Sequence, residues 1–333
     1  MDRIFLCIML GFIFSLLLSP LVIKLTRKLK AKQSIYEYVD LHKKKQGTPT
    51  MGGIIFIAGS VFAFFCASQK YSRLAFVSLI CFVCFGIIGI LDDFLKIHKK
   101  RNLGLKPYQK IIGQVAISVI ISIFAYKNLN VGSEIYLPLS SKIIDLGWAY
   151  IPFCIFVFLA LSNGVNLTDG LDGLAGGVTC SYLVGFIGVS YIILQKMGSF
   201  DAVFIAENTN LLILSGGVFG SVLAYLLFNS HPASIFMGDT GSLALGGFLA
   251  SVAIFTRQVL LIPILGLAFV WSCLSVIIQV VHFKRTKRRV FLMAPYHHHL
   301  EKKGIKETKI VAIYMIFTLF LSILSIFLCL MFN

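Results

Sequence analysis

The chain has 333 residues, 58% of them apolar and only 13% charged, with a mean hydropathy of +0.89. Soluble domains run near half apolar and one quarter charged, so an ordinary soluble domain, a disordered chain and a collagen-like fibre are excluded. The formal charge of +16 admits a nucleic-acid partner only until the placement of the charges is considered.

A bilayer-spanning helix needs about 20 apolar residues. By that measure the sequence predicts an all-α polytopic membrane protein with ten spans, at 4–23, 51–67, 74–91, 109–126, 148–162, 173–194, 211–228, 241–256, 258–281 and 310–332. The segments 51–67, 148–162 and 241–256 are short or rich in glycine. The first span has too long an apolar run for a secretory signal and no small-residue cleavage site after it, so it reads as a helix. The outer segment 127–147 alternates weakly around Pro138, the pattern of a small hairpin. With no long linker, repeat or low-complexity tract, residues 1–333 read as one domain. All eight cysteines fall inside apolar runs, which argues against a disulfide framework or a zinc knuckle; Cys81 and Cys84 read as helix packing.

Orientation follows from the basic residues. Segments 24–50, 92–108, 163–172, 229–240 and 282–309, with Lys110 at the mouth of a helix, hold 23 of the 30 Lys and Arg. Arg3, Lys70, Arg73, Lys127, Lys142, Lys196 and Arg257 fall on the other side. The positive-inside rule makes the first set cytoplasmic and puts both termini outside. Topology therefore accounts for the charge and no nucleic-acid surface is needed. Anionic membrane lipids and phosphorylated substrates remain suitable partners.

Asp92, Asp93, Asp169, Asp172 and Asp239 all lie on this same side, each at a predicted helix end. Pushing an ionised Asp toward hydrocarbon costs about 2.5–3.5 kcal/mol. Five on one face point to a shared hydrated cation, against the competing reading of solvated helix ends and N-caps. In ILDDFLK the adjacent carboxylates repel, so a proton or a cation must neutralise one, which suits a base or a magnesium site. Lys96, one turn after Asp92, is placed to hold a phosphate or to pair with that Asp.

In NGVNLTDGLDG, Asn163, Asn166, Asp169 and Asp172 crowd a glycine-rich turn expected to open the sixth helix. Backbone N–H groups there favour anions and the carboxylates admit a metal, while helix capping is the alternative for Asp169 or Asp172. The run from Asn229 to Gly241 supplies Asp239, a hard oxygen ligand suited to Mg²⁺, and Phe236, whose face can stack on a planar base or pack on its neighbours. PYHHHLE offers consecutive histidines without a cysteine partner, which favours hydrogen bonding to phosphate over zinc; contact with lipid headgroups is the alternative. Lys43 to Lys45 lead into a Gly/Thr turn through Thr50 that suits a phosphate, although a basic run before a span is also a topology signal. Phosphoryl transfer to or from a lipid, at the cytoplasmic membrane face, fits all five clusters.

DDFLK, NGVNLTDGLDGLAGG, FNSHPASIFMGDTGS and APYHHHLE resemble the polyprenyl-phosphate sugar-1-phosphate transferases of glycosyltransferase family 4. KKKQGTPTMGG with the histidine run resembles one branch, the phospho-MurNAc-pentapeptide translocases of peptidoglycan synthesis. The resemblance covers essentially the whole chain, ten helices with both ends outside included. It implies transfer of phospho-MurNAc-pentapeptide from UDP-MurNAc-pentapeptide to undecaprenyl phosphate in the bacterial cytoplasmic membrane, with Mg²⁺, giving lipid I and UMP, by a homodimer. It further implies that Asp239 is the principal Mg²⁺ ligand and that Asp92 deprotonates or orients the lipid phosphate with Asp93 beside it. Asn166, Asp169, Gly170, Leu171, Asp172 and Asn229 then line the nucleotide site, where Phe236 stacks on uracil. Lys45, Thr50, His297 and His298 contact the diphosphate or its surroundings, and Lys106 and Lys110 match a basic stretch of the family.

Two other readings compete. A transporter of phosphorylated lipid predicts charged or broken sites near the midplane, whereas the middles of these spans carry essentially no acids or bases. A sister transferase using UDP-GlcNAc shares the Asp motifs, and the HHHLE loop argues against it.

Overall fold

The computed structural model describes residues 1–28, 47–99, 104–138, 142–196 and 202–332. Its elements run α1 (Asp2–Lys28), α2 (Gly53–Ala67), α3 (Arg73–Lys99), α4 (Pro107–Lys127), β1 (Glu134–Tyr136), β2 (Ile143–Asp145), α5 (Tyr150–Thr168) and α6 (Leu174–Lys196). They continue through α7 (Ala202–Asn229), α8 (Gly238–Phe255), α9 (Ile262–Leu265), α10 (Leu267–Thr286), α11 (Tyr296–Lys302) and α12 (Glu307–Phe332). Among the described residues, nine helices are long and apolar enough to cross a membrane, all but α2, α9 and α11.

Every predicted span contains a helix, but two differ in form. Span 51–67 is the 15-residue α2, about 22 Å long at 1.5 Å per residue and shorter than a hydrocarbon core of about 30 Å. Span 258–281 is not one helix: a 3₁₀ turn at Val259–Leu261, the short α9 and Gly266 precede α10. Pro263 sits in the first turn of α9, where its missing N–H costs no bond, and the chain breaks at Gly266, which ends α9 and precedes α10. The segment around Pro138 does form a hairpin, with Ile135 opposite Ile144 in an antiparallel pair. Arg257 ties it to the helices: its carbonyl accepts the Tyr136 N–H at 2.8 Å and its guanidinium meets Glu134 at 2.5 Å.

Burial sorts the helices. In α8 every residue from Thr240 to Phe255 is buried, so the helix is small and apolar all round, as a central helix must be. It lies between α3 and α5, while α1 packs on α7 and α6 on α12. By contrast only 22% of the 18-residue apolar stretch of α10, and of that of α12, is buried. Their outer faces, with Ile277, Ile316 and Phe320, present apolar side chains outward, as lipid contact requires.

Glycines set how close the neighbours of α8 come. A Cβ on Gly89 of α3 would lie 2.1 Å from the Asp239 carbonyl oxygen, and one on Gly246 of α8 would lie 2.3 Å from Ser162 Cα of α5. Those approaches carry the last turns of α3 and α5 to the start of α8. Gly89→Val is expected to force α3 off α8 at a cost of about 1–3 kcal/mol, read as a lower Tm of the detergent-purified protein. Gly113→Ala, whose Cβ meets only the Ile88 side chain, at 3.2 Å, is expected to leave Tm unchanged.

Candidate functional site

The helix α3 does not stop at its acids but runs on to Lys99, so Asp92 and Asp93 sit on adjacent helical positions with Lys96 one turn further on, all three reaching the start of α8. Asp93 is buried and works as a cap supplied from another helix. Its carboxylate accepts the backbone N–H groups of Asp239 at 3.2 Å and Thr240 at 3.0 Å, and the Thr240 hydroxyl at 2.7 Å. These are donors that the first turn of any helix leaves without an intrahelical partner. Gly238 makes room for the cap. Its φ is +68°, and a Cβ there would lie 2.3 Å from Asp93 Oδ2 and 2.6 Å from Thr50 Oγ1, so the position favours glycine by conformation and by space.

So held, Asp239 stands at the centre of a charge knot. Lys96 Nζ lies 2.6 Å from Asp92 Oδ2, 3.2 Å from Asp239 Oδ1 and 3.7 Å from Asp93 Oδ1. Lys110, from the first turn of α4, contacts Asp239 Oδ2 and lies 3.2 Å from Asp92 Oδ1. Asn166 completes the surround, its amide donating to Asp239 Oδ1 at 3.1 Å and to Ser242 at 2.8 Å. The Leu105 N–H donates to Asp92 Oδ1 at 2.8 Å. Of the two parts the sequence left open, Lys96 takes the pairing with Asp92 at i, i+4, and its ammonium also lies against Asp239.

The residues Asn163 and Asn166 are not in a turn, as expected, but on the last turns of α5. Their side chains find partners there, Asn163 donating to the Leu159 carbonyl at 2.8 Å and to Gln114 at 2.9 Å, so nothing ends the helix before Thr168. The turn is confined to 169–173. Asp169 is half-buried in it; burial, and then the negative charges of Asp239, Asp93 and Asp172, hold its carboxyl well above the usual carboxylate range. Gly170 faces the histidine run, since a Cβ there would lie 2.3 Å from His297 Nε2 and 3.0 Å from His298 Nε2. That run is helical, the short α11 inside a predicted loop. His297 is fully buried and His298 is bound to Glu301 at 2.6 Å. His299 turns away, accepting the Leu292 N–H and packing on Phe291 and Tyr296.

Leu171 is buried, and two of the predicted nucleotide-site side chains tie loops together. Asn229 accepts the Gly173 N–H at 3.1 Å and donates to the Ile235 carbonyl at 2.9 Å. The Asp172 carboxylate accepts the Ala233 N–H at 3.2 Å and meets His231 Nδ1 at 3.0 Å. Phe236 is half-buried and has no ring–ring contact among the described residues. Its loop is strapped by the segment around the buried Thr50: the Phe236 N–H donates to the Pro49 carbonyl and the Gly52 N–H to the Phe236 carbonyl, both at 2.8 Å. Lys106 is not drawn in; it is exposed, with its ammonium 5.9 Å from the Tyr108 ring. Lys45 lies outside the described residues.

Sequence reasoning missed Ser242 and Glu307. Ser242 lies one turn after Asp239 on α8, a spacing that would have placed it. Glu307, which accepts the Asp172 N–H at 2.7 Å, stands alone in a basic stretch and left no motif.

One carboxylate oxygen from each of Asp92, Asp93 and Asp239 lies within 4.8 Å of the others. Two lysine ammonium groups are drawn to the same oxygens, so the knot holds positive charge. Its donors are hard oxygens of the kind Mg²⁺ prefers, without a sulfur or histidine among them. The residues fit that ion, Asp239 and Asp92 being the two that both ammonium groups contact.

Residues 75–257 match the glycosyl transferase family 4 model, and residues 45–57 match phospho-N-acetylmuramoyl-pentapeptide-transferase signature 1. Over 319 residues the chain is 45% identical to the phospho-N-acetylmuramoyl-pentapeptide-transferase of Clostridium novyi, covering 96% of this chain and 94% of that one. It is 43% identical to the protein of that name from Clostridioides difficile, with 96% and 95% covered, and 42% identical to that from Bacillus subtilis, with 96% of each covered. The chain is thus a member of glycosyl transferase family 4. Within these matches, the chain belongs to the phospho-N-acetylmuramoyl-pentapeptide-transferases.

Removing the cap separates the two adjacent aspartates. Asp93→Ala is expected to lower stability by about 1–2 kcal/mol, the worth of a lost helix cap, and Asp93→Asn, which keeps one acceptor oxygen, to recover part of it. Thermal unfolding in detergent reads both; an unchanged Tm for Asp93→Ala contradicts the cap.

Proposed function

We propose that this chain transfers phospho-MurNAc-pentapeptide from UDP-MurNAc-pentapeptide to undecaprenyl phosphate, forming lipid I and UMP, at the cytoplasmic face of the bacterial cytoplasmic membrane. The observation that carries the reading is the knot of Asp92, Asp239, Lys96 and Lys110 at one end of an apolar helix bundle. The names of relatives 42–45% identical to the chain support the same substrate class. The reading takes ten membrane crossings, with α2 and the broken α9–α10 segment included, both termini outside, and a homodimer.

Both reactants are anions, a lipid phosphate and a diphosphate, so their approach is opposed by charge. Asp239 and Asp92 would hold Mg²⁺, which when bound would neutralise charge and polarise the diphosphate, and Lys96 and Lys110 turn from the carboxylates to the phosphate oxygens. Asp92 also orients the lipid phosphate or takes its proton. A phosphate oxygen of the lipid attacks the sugar-linked phosphorus, and the P–O bond to UMP breaks with its electron pair leaving on UMP. The attack is direct; a phospho-sugar adduct trapped on Asp92 or Asp93 contradicts it. Asn166, Asp169, Gly170, Leu171, Asp172 and Asn229 shape the nucleotide walls, and Phe236 stacks on the base. Thr50, His297, His298 and Lys45 contact the diphosphate or its surroundings, and Lys106 is a further basic residue of the stretch the family shares. A membrane-level site is required because the acceptor's phosphate cannot leave the interface while its tail stays in lipid.

The test is UMP release by detergent-purified protein given undecaprenyl phosphate, Mg²⁺ and either UDP-MurNAc-pentapeptide or UDP-GlcNAc. Release with the pentapeptide donor alone is expected. Release with UDP-GlcNAc alone moves the chain to the sister activity, and no release from folded protein with either donor overturns the reading. In the same assay Phe236→Ala is expected to raise the donor KM about tenfold, the upper end of a stacking contribution, and to leave the lipid KM unchanged.

A further inference from the structure

A second group of chemically active side chains lies beside the charge knot. One ligand atom each from Asp172, His231 and Glu307 lies within 4.8 Å of the others. They come from three elements: the turn after α5, the loop after α7 and the first residue of α12. Glu307 Oε1 accepts the Asp172 N–H at 2.7 Å, and its other oxygen lies 3.4 Å from His231 Nδ1. Asp172 Oδ2 lies 3.0 Å from the same Nδ1. The two acids are nearly enclosed, their side chains 2% and 11% exposed, whereas the His231 ring is 43% exposed.

A carboxylate on one ring nitrogen fixes both the tautomer and the orientation of an imidazole. Here two carboxylates address Nδ1. No other described residue bonds the ring, so the exposed edge carries Nε2 outward. The ring's place matters as much as its aim. Within the turn, Asp169 feels the charge of the knot, Gly170 touches His297 and His298, and Asp172 reaches His231. The turn therefore runs from the reacting centre toward His231. From there the loop leads in five residues to Phe236. Asp172 Oδ2 is engaged by Ala233 and His231, and His231 is the one exposed member of the trio, the side chain open to a ligand at this end.

We propose that His231 is a binding residue for the nucleoside end of the donor, presenting Nε2 to it, and that Glu307 is the positioning residue that holds it there, directly at Nδ1 and through its bond to Asp172. The proposal rests on the nucleotide-donor reading above and adds to it a contact and its support.

The experiment measures UMP twice, as a bound ligand by equilibrium dialysis with radiolabelled UMP and as a competitive inhibitor of turnover, on the full chain in detergent. His231→Ala is expected to weaken UMP binding and raise the donor KM about tenfold, the worth of one lost hydrogen bond, with kcat and the lipid KM within about twofold of the parent. Glu307→Ala is expected to weaken UMP in the same direction, and the double variant to be no weaker than His231→Ala, because the second residue acts through the first. His231→Gln, which keeps a polar end on a side chain of similar reach, is expected to recover part of the loss and serves also where the alanine variant fails to fold. UMP affinity unchanged in folded His231→Ala or His231→Gln overturns the proposal, as do losses that add in the double variant or that fall equally on the lipid KM, which mark a loop brace. If the parent protein neither binds UMP nor releases it, the nucleotide-donor reading itself fails; if the parent does both and the His231 variants match it, only the present proposal fails.

Discussion

The arrangement depends on placing the carboxylate of Asp239, 14% exposed, at the start of a helix that is otherwise buried. A charge brought this far from water is expensive unless it is paired and hydrogen-bonded. Every neighbouring element contributes: α3 gives Lys96, α4 gives Lys110, α5 gives the Asn166 amide, and Asp93 caps the helix end on which Asp239 rides. By formal charge the three carboxylates of the knot outnumber its two ammonium groups, so a further cation is favoured there. The same feature that makes the position costly for folding makes it suited to drawing together two phosphorylated reactants.

Packing places this knot. Gly89 and Gly246 let α3 and α5 touch α8 backbone to backbone, and Gly238 leaves space for Asp93 and Thr50. Larger residues would move the carboxylates apart by more than a hydrogen bond tolerates. Small residues gather on the central helix, and large apolar ones on the outer faces of α1, α10 and α12, so close contact is reserved for where the chemistry is.

Much of this was legible in the sequence. Apolar runs located a helix for every predicted span, and the aspartate motifs pointed to Asp92, Asp93 and Asp239, which the structure brings together. What the sequence left open was direction. Asp92 and Asp93 are equivalent as letters, yet one faces two ammonium groups and the other caps α8, a difference fixed by the 100° between neighbouring helical positions. The three histidines are likewise alike in the text, and only the path of α11 turns His299 from the other two. The break at Gly266 was hidden because hydrophobicity does not register where one helix ends and the next begins within a continuous apolar run. Asn163 and Asn166 stayed helical because α4 and α8 offered their side chains partners, a tertiary effect that no local pattern shows.

Asp239 offers the most direct measurement. UMP release from UDP-MurNAc-pentapeptide and undecaprenyl phosphate is followed against Mg²⁺ concentration for the parent protein and for Asp239→Asn, with Tm recorded for each. Asn keeps the size of the side chain and removes its charge. Turnover that rises and saturates with Mg²⁺ in the parent and is abolished in Asp239→Asn, at a similar Tm, is the predicted result. Near-normal turnover of Asp239→Asn at low Mg²⁺ would contradict the placing of the reaction at this carboxylate.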